Sequence, residues 1–81
     1  MTLAQLNDEI LNLVLESTET TMPITPETHL IRDMGLSSVE IMLLISDLED
    51  HFDITISPTQ LRHAQTVGDL TQLVADEIRQ G

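Results

Sequence analysis

DMGLSSVEIM (residues 33–42) sets two adjacent serines where a glycine turn gives way to an apolar helix. The start of a helix needs one hydroxyl there, and Ser37 meets the need. Its side-chain oxygen can accept the N–H of Glu40 while the Glu40 carboxylate reaches back to the N–H of Ser37, a reciprocal capping box worth about 1 kcal/mol. Gly35, just upstream, lets the chain turn sharply into the helix. Ser38 is then the first helical residue, and no capping duty falls on it. Its hydroxyl is expected to lie exposed at the helix N-terminus, where free N–H groups and the positive end of the dipole favour an attached phosphate. The spare serine is a suitable seat for a phosphodiester.

Outward from this turn, hydrophobic periodicity predicts an all-α chain of three longer helices and one short one. The helix opened by Ser38 runs to about His51, with Ile41, Leu44, Ile45, Leu48 and Phe52 on one core-facing stripe and Val39 and Leu43 pointing away. Upstream, Leu3, Leu6, Ile10, Leu13 and Val14 recur at three- and four-residue steps, behind a capping box of Thr2 with Gln5. That pattern fades at ESTETTMPITPETH (residues 16–29), where β-branched residues and two prolines give a long connection, the kind of loop that is more often functional than not. Downstream, FDITIS (residues 52–57) alternates like a strand but has no partner strand anywhere, so it reads as a loop. SPTQ (residues 57–60) supplies an N-cap, a proline at the first helical position and a glutamine after it, which predicts a short third helix to about Arg62. Thr66 with Asp69 caps the last helix, whose buried face is expected to hold Val67, Leu70, Leu73, Val74 and Ile78.

The 81 residues make one domain, 1–81, of a size that buries only about 60% of the surface its unfolded chain exposes. Cysteine is absent, which rules out disulfides and thiolate metal sites. No signal segment and no apolar run of membrane-spanning length is visible, so a cytoplasmic protein is expected. Fourteen acidic residues against three arginines and no lysine give a net charge of −11. That balance disfavours nucleic acid as a ligand, and suits steering toward basic partners or plain solubility. Catalytic and metal motifs lack their context. The serine turn has no G-x-S-x-G on a strand, the carboxylates of the second helix lack EF-hand spacing, and His29, His51 and His63 are scattered. No catalytic residue and no metal ligand is assigned. The four methionines read as gap fillers in a core poor in aromatics.

DMGLSSVEIM followed by LLISDLEDHFDI resembles the modification site and second helix of the acyl carrier protein family, whose usual pattern is Leu-Gly-x-Asp-Ser-Leu with Phe-Asp closing the helix. Met34, Gly35, Leu36, Ser37, Ser38 and Val39 occupy those places in order, and Phe52 and Asp53 stand at the close. The likeness continues through HLIRD and the Thr66-Val67 helix start, and so covers most of the chain. It implies a small four-helix bundle bearing 4′-phosphopantetheine on Ser38. A phosphopantetheinyl transferase would add the arm, and its thiol would carry acyl groups as thioesters in fatty acid, polyketide or related biosynthesis. It also implies acyl-loading and acyl-processing enzymes with basic docking surfaces as partners of a monomer. Ser37, Val39, Glu40, Met42, Leu43, Asp47, Glu49 and Asp50 are the residues expected to meet them. Aminoacyl or peptidyl cargo, and an acidic adaptor that keeps the fold without the arm, are the alternatives. Two departures thin the acidic stripe: Ser37 replaces the family's acidic residue before the modified serine, and Leu43 replaces another five positions after it. They point to a specialised carrier rather than the housekeeping one of fatty acid synthesis. For an acyl chain to shelter between helices, Ile41, Ile45, Leu70 and Val74 would have to part.

Overall fold

The computed structural model describes residues 2–18 and 22–80. Its elements are α1 (Leu3–Thr18), α2 (Ser38–Phe52), α3 (Pro58–Arg62) and α4 (Val67–Gln80). This is the expected all-α four-helix arrangement. Helix α1 packs against both α2 and α4, and α2 meets α4 along a narrower contact. The core they enclose is aliphatic: Leu6, Ile10 and Val14 from α1, Leu44, Ile45 and Leu48 from α2, and Val67, Leu70, Leu73 and Val74 from α4. Ile41 and Phe52, expected on the α2 stripe, lie half-buried at its flanks.

Each helix starts on a local device that the sequence carries. Thr2 donates its N–H to Gln5 Oε1 at 2.9 Å and accepts the Gln5 N–H at 3.1 Å. Ser57 and Gln60 exchange the same pair of bonds at 2.8 and 3.2 Å, with Pro58 at the first helical position, where its missing N–H costs nothing. Thr66 Oγ1 accepts the Asp69 N–H at 3.1 Å, and Asp69 Oδ2 accepts the N–H groups of Gln65 and Thr66 at 2.9 and 3.1 Å. Those two backbone bonds, first Gln65 and then Thr66, with help from the Thr66 hydroxyl and the nearby His29, hold the Asp69 carboxyl below the usual carboxylate range. Helix α2 stops at Asp53, which takes the left-handed conformation (φ 54°) and donates its N–H to Glu49.

Two expectations are corrected. Helix α1 runs on to Thr18, whose hydroxyl donates to the Val14 carbonyl at 2.6 Å and so remains within the helix where β-branching suggested a stop. Ile78 is 45% exposed instead of buried, and Leu3 is 58% exposed. Both border a shallow groove lined, among the described residues, by the chain start, α1 and α4, at an edge the other helices do not cover.

The long connection is not a free loop. Residues 19–21 lie outside the described residues, but the segment that follows is strapped to the start of α4. Pro26 accepts the Gly68 N–H at 2.8 Å, Thr28 accepts the Val67 N–H at 3.0 Å, and Leu30 donates to the Gln65 carbonyl at 2.8 Å. His29 and Thr66 form an isolated antiparallel bridge within this strap. Thr28 and Leu30 are buried beneath it. Backbones approach so closely that a Cβ on Gly68 would stand 2.9 Å from the Pro26 carbonyl oxygen, which is why that helical position is a glycine. FDITIS is a loop, as expected, and Ile56 plugs the core while its N–H donates to Glu49 Oε2 at 2.9 Å.

Candidate attachment site

The strap delivers the chain to α2 through a tight turn. Gly35 sits at φ 68°, a conformation that an L side chain rarely adopts, and donates to the Ile31 carbonyl at 2.9 Å. Leu36 then buries its side chain and donates to the Leu30 carbonyl at 3.1 Å, so the residue before the serine pair is anchored in the core. The turn has a polar staple of its own. His29 Nδ1 accepts the N–H groups of Ile31 and Arg32 at 3.2 and 2.9 Å, while Asp33 Oδ2 accepts the His29 N–H at 2.8 Å. This role of His29 and Asp33 was not anticipated from the sequence, where the only signal was an imidazole and a carboxylate four residues apart.

At the helix start the two serines divide the work. Ser37 is the N-cap, in extended conformation. Its Oγ accepts the Glu40 N–H at 3.2 Å and its own N–H donates to Glu40 Oε1 at 3.1 Å. Ser38 is the first residue of α2, is exposed, and takes no part in the cap. It opens onto a cleft of about 380 Å³ between the turn, α2 and the α3 region. The apolar lining includes Leu30, Ile41, Leu61 and Ala64, and the polar lining His29, Arg62 and Gln65. Of the residues expected to part for an acyl chain, Ile41 lines this cleft, whereas Ile45, Leu70 and Val74 are buried in the core.

The remaining residues singled out on α2 fall into two groups. Val39, Met42 and Leu43 are 64, 65 and 61% exposed and, at spacings of three and four, form one apolar face beside Ser38. Asp47 and Asp50 are exposed farther along, and Asp47 accepts a hydrogen bond from Ser17 of α1. Glu40 and Glu49 are engaged as well: Glu40 closes the cap, and half-buried Glu49 holds Ile56. The outward face of α2 is thus apolar near the serine and acidic toward its far end. His51, also on α2, lies 3.6 Å from Glu9 of α1, and His63 is the C-cap of α3. Among the described residues no three His, Cys, Asp or Glu side chains gather as a metal site.

This helix order and serine-bearing turn have known counterparts. A family model described as the phosphopantetheine attachment site matches residues 8–74. An acyl carrier protein of Exiguobacterium sibiricum is 38% identical over 55 residues, 68% of this chain and 70% of the relative. Among solved structures, a candidate acyl carrier protein of Mycobacterium tuberculosis superposes with a TM-score of 0.82 at 34% identity, covering 88% of this chain and 96% of the other. The holo acyl carrier protein of Geobacter metallireducens superposes with a TM-score of 0.80 at 25% identity, over 91% of this chain and 86% of that one. Matched over most of its length, the chain belongs to the acyl carrier protein family, in which covalently bound phosphopantetheine carries acyl groups.

Proposed function

We propose that Ser38 is the residue that bears 4′-phosphopantetheine, and that the chain delivers acyl intermediates from one biosynthetic enzyme to the next. The observation that carries this is the division between the serines: Ser37 is consumed by the cap, and Ser38 presents a free, exposed hydroxyl at the head of a fifteen-residue helix. The surroundings fit the group. An exposed oxygen at the positive end of a helix suits a phosphodiester, and the adjoining cleft offers an apolar lining with hydrogen-bond donors at its edge.

In the loading step a bond would form between Ser38 Oγ and phosphorus while the pyrophosphate bond of coenzyme A breaks and adenosine 3′,5′-bisphosphate leaves. The hydroxyl proton leaves to a base that the transferase supplies. Once attached, the arm contributes a terminal thiol that forms thioesters. The chain's own residues do the positioning. The Ser37–Glu40 box and buried Leu36 fix where Ser38 stands, and the outward face of α2 meets partners. Val39, Met42 and Leu43 would be covered around the serine, while Asp47 and Asp50, with the field of Glu40 and Glu49, draw basic surfaces and release them readily because exposed charges are screened. Catalysis then resides in those partners, in the cytoplasm. No helix of the described residues is long and apolar enough to cross a membrane. An apolar patch where acidic residues are usual supports a specialised pathway over primary fatty acid synthesis.

The test is intact mass after incubation with coenzyme A and a broad-specificity transferase. A gain of about 340 Da that Ser38→Ala abolishes and Ser37→Ala leaves intact is the expected result. A gain that survives Ser38→Ala would move the attachment point elsewhere.

A further inference from the structure

In a chain with 14 acidic residues, no carboxylate among the described residues lines the cleft beside Ser38. Among the described residues, its charged and polar lining besides the serine is His29, Arg62 and Gln65. Arg62 is exposed at the end of α3 and forms no ion pair among the described residues. His29 is a donor by constraint: with Nδ1 accepting two backbone N–H groups, the proton of the neutral ring sits on Nε2. An acidic protein has therefore left one cation and one fixed N–H donor around the hydroxyl that is to be esterified.

We infer that Arg62 and His29 form a clamp for the phosphodiester that Ser38 acquires, holding the arm along the cleft against Leu61 and Ala64 instead of leaving it free in solvent. This rests on Ser38 being the attachment point. Arg62 supplies the charge, since a guanidinium donates to phosphate oxygens in a paired, planar fashion. His29 supplies direction, being held by its backbone bonds. The clamp is weak by design of its surroundings: Arg62 is exposed, so salt screens it and a partner enzyme can strip the arm out.

The experiment uses the holo protein, prepared with coenzyme A and transferase and checked by intact mass, as wild type, R62Q, R62K and H29N. Asparagine at position 29 can still accept the N–H groups of residues 31 and 32 through Oδ1, so H29N removes the Nε2–H donor while keeping the turn. Arg62 has no packing role in the core, so R62Q stays folded whatever happens at position 29. The readout is nuclear Overhauser contact between the geminal methyls of the arm and the side chains of Leu61 and Ala64, with apo-to-holo amide shifts over residues 61–65. Wild type and R62K are expected to show these contacts. R62Q should lower the docked population by up to about fivefold, the measure of one exposed charge pair, and added salt should mimic it. Loaded wild type without contacts to residues 61–65, or contacts in R62Q and H29N undiminished from wild type, would overturn the clamp while leaving attachment at Ser38 intact. A failure of wild type to gain the arm's mass would overturn the attachment reading itself.

Discussion

Replacing each serine of the pair by alanine separates their roles without any partner enzyme. In Ser37→Ala the Glu40 N–H loses the acceptor it now has at 3.2 Å, and the Glu40 side chain loses the geometry that holds it over the Ser37 N–H. Because the site is exposed, water re-solvates the released groups, and the cost is that of a lost N-cap, about 1 kcal/mol. In a domain of this length that lowers Tm by about 4–8 °C. Ser38→Ala breaks no cap bond and places a better helix former at the first helical position, so the apo protein should melt at the same temperature or up to about 2 °C higher. Far-UV circular dichroism melts of apo wild type and both variants, at one salt concentration and neutral pH, make the comparison. A Ser38→Ala variant destabilised as much as Ser37→Ala would refute this division, because the Ser38 hydroxyl would then be structural.

Gly68→Ala should lose stability by about 1 kcal/mol despite the helical preference of alanine, since its Cβ would sit 2.9 Å from the Pro26 carbonyl oxygen and push the strap away. A urea midpoint at or above wild type would show that the strap yields freely. Asp53→Gly relieves a left-handed residue (φ 54°) at the end of α2 and should raise stability by about 0.5 kcal/mol, measurable in the same titration. Asp69 binds a proton less readily folded than unfolded, so its stabilising contribution is complete above the usual carboxylate range and is lost as pH falls through its lowered folded value. Melts of Asp69→Asn should accordingly show a shallower loss on acidification below about pH 4 than wild type, and equal slopes would remove Asp69 from the acid response. With a net charge of −11, Tm of the wild type should rise as sodium chloride is added, and a flat profile would mean that self-repulsion is negligible.

What the sequence made legible was whatever closes within one turn of helix. The pairs Thr2–Gln5, Ser37–Glu40, Ser57–Gln60 and Thr66–Asp69 are three residues apart, so partner and geometry can be read from spacing alone, and all four cap as expected. The outward direction of Val39 and Leu43 followed from the same periodicity. What escaped reading depends on elements distant in the chain. Nothing local says that Pro26, Thr28 and Leu30 bond to residues 65–68, so the long connection looked like a loop. The engagement of Glu49 with Ile56, and of His29 with its own turn, required knowing how the backbone folds back. Ile78 obeys the α4 periodicity and still reaches solvent, because periodicity gives a direction but not whether anything stands there.

The strap between residues 26–30 and residues 65–68 has a bearing on biogenesis. Closing contacts across so long a stretch of sequence is a late event, since the chain between them must first surrender its freedom. Until residues 65–68 are free to bond, Ser38 stands on a segment without that anchor. If Ser38 bears the arm, loading by an enzyme that grips the surface around the hydroxyl would report that the strap has closed.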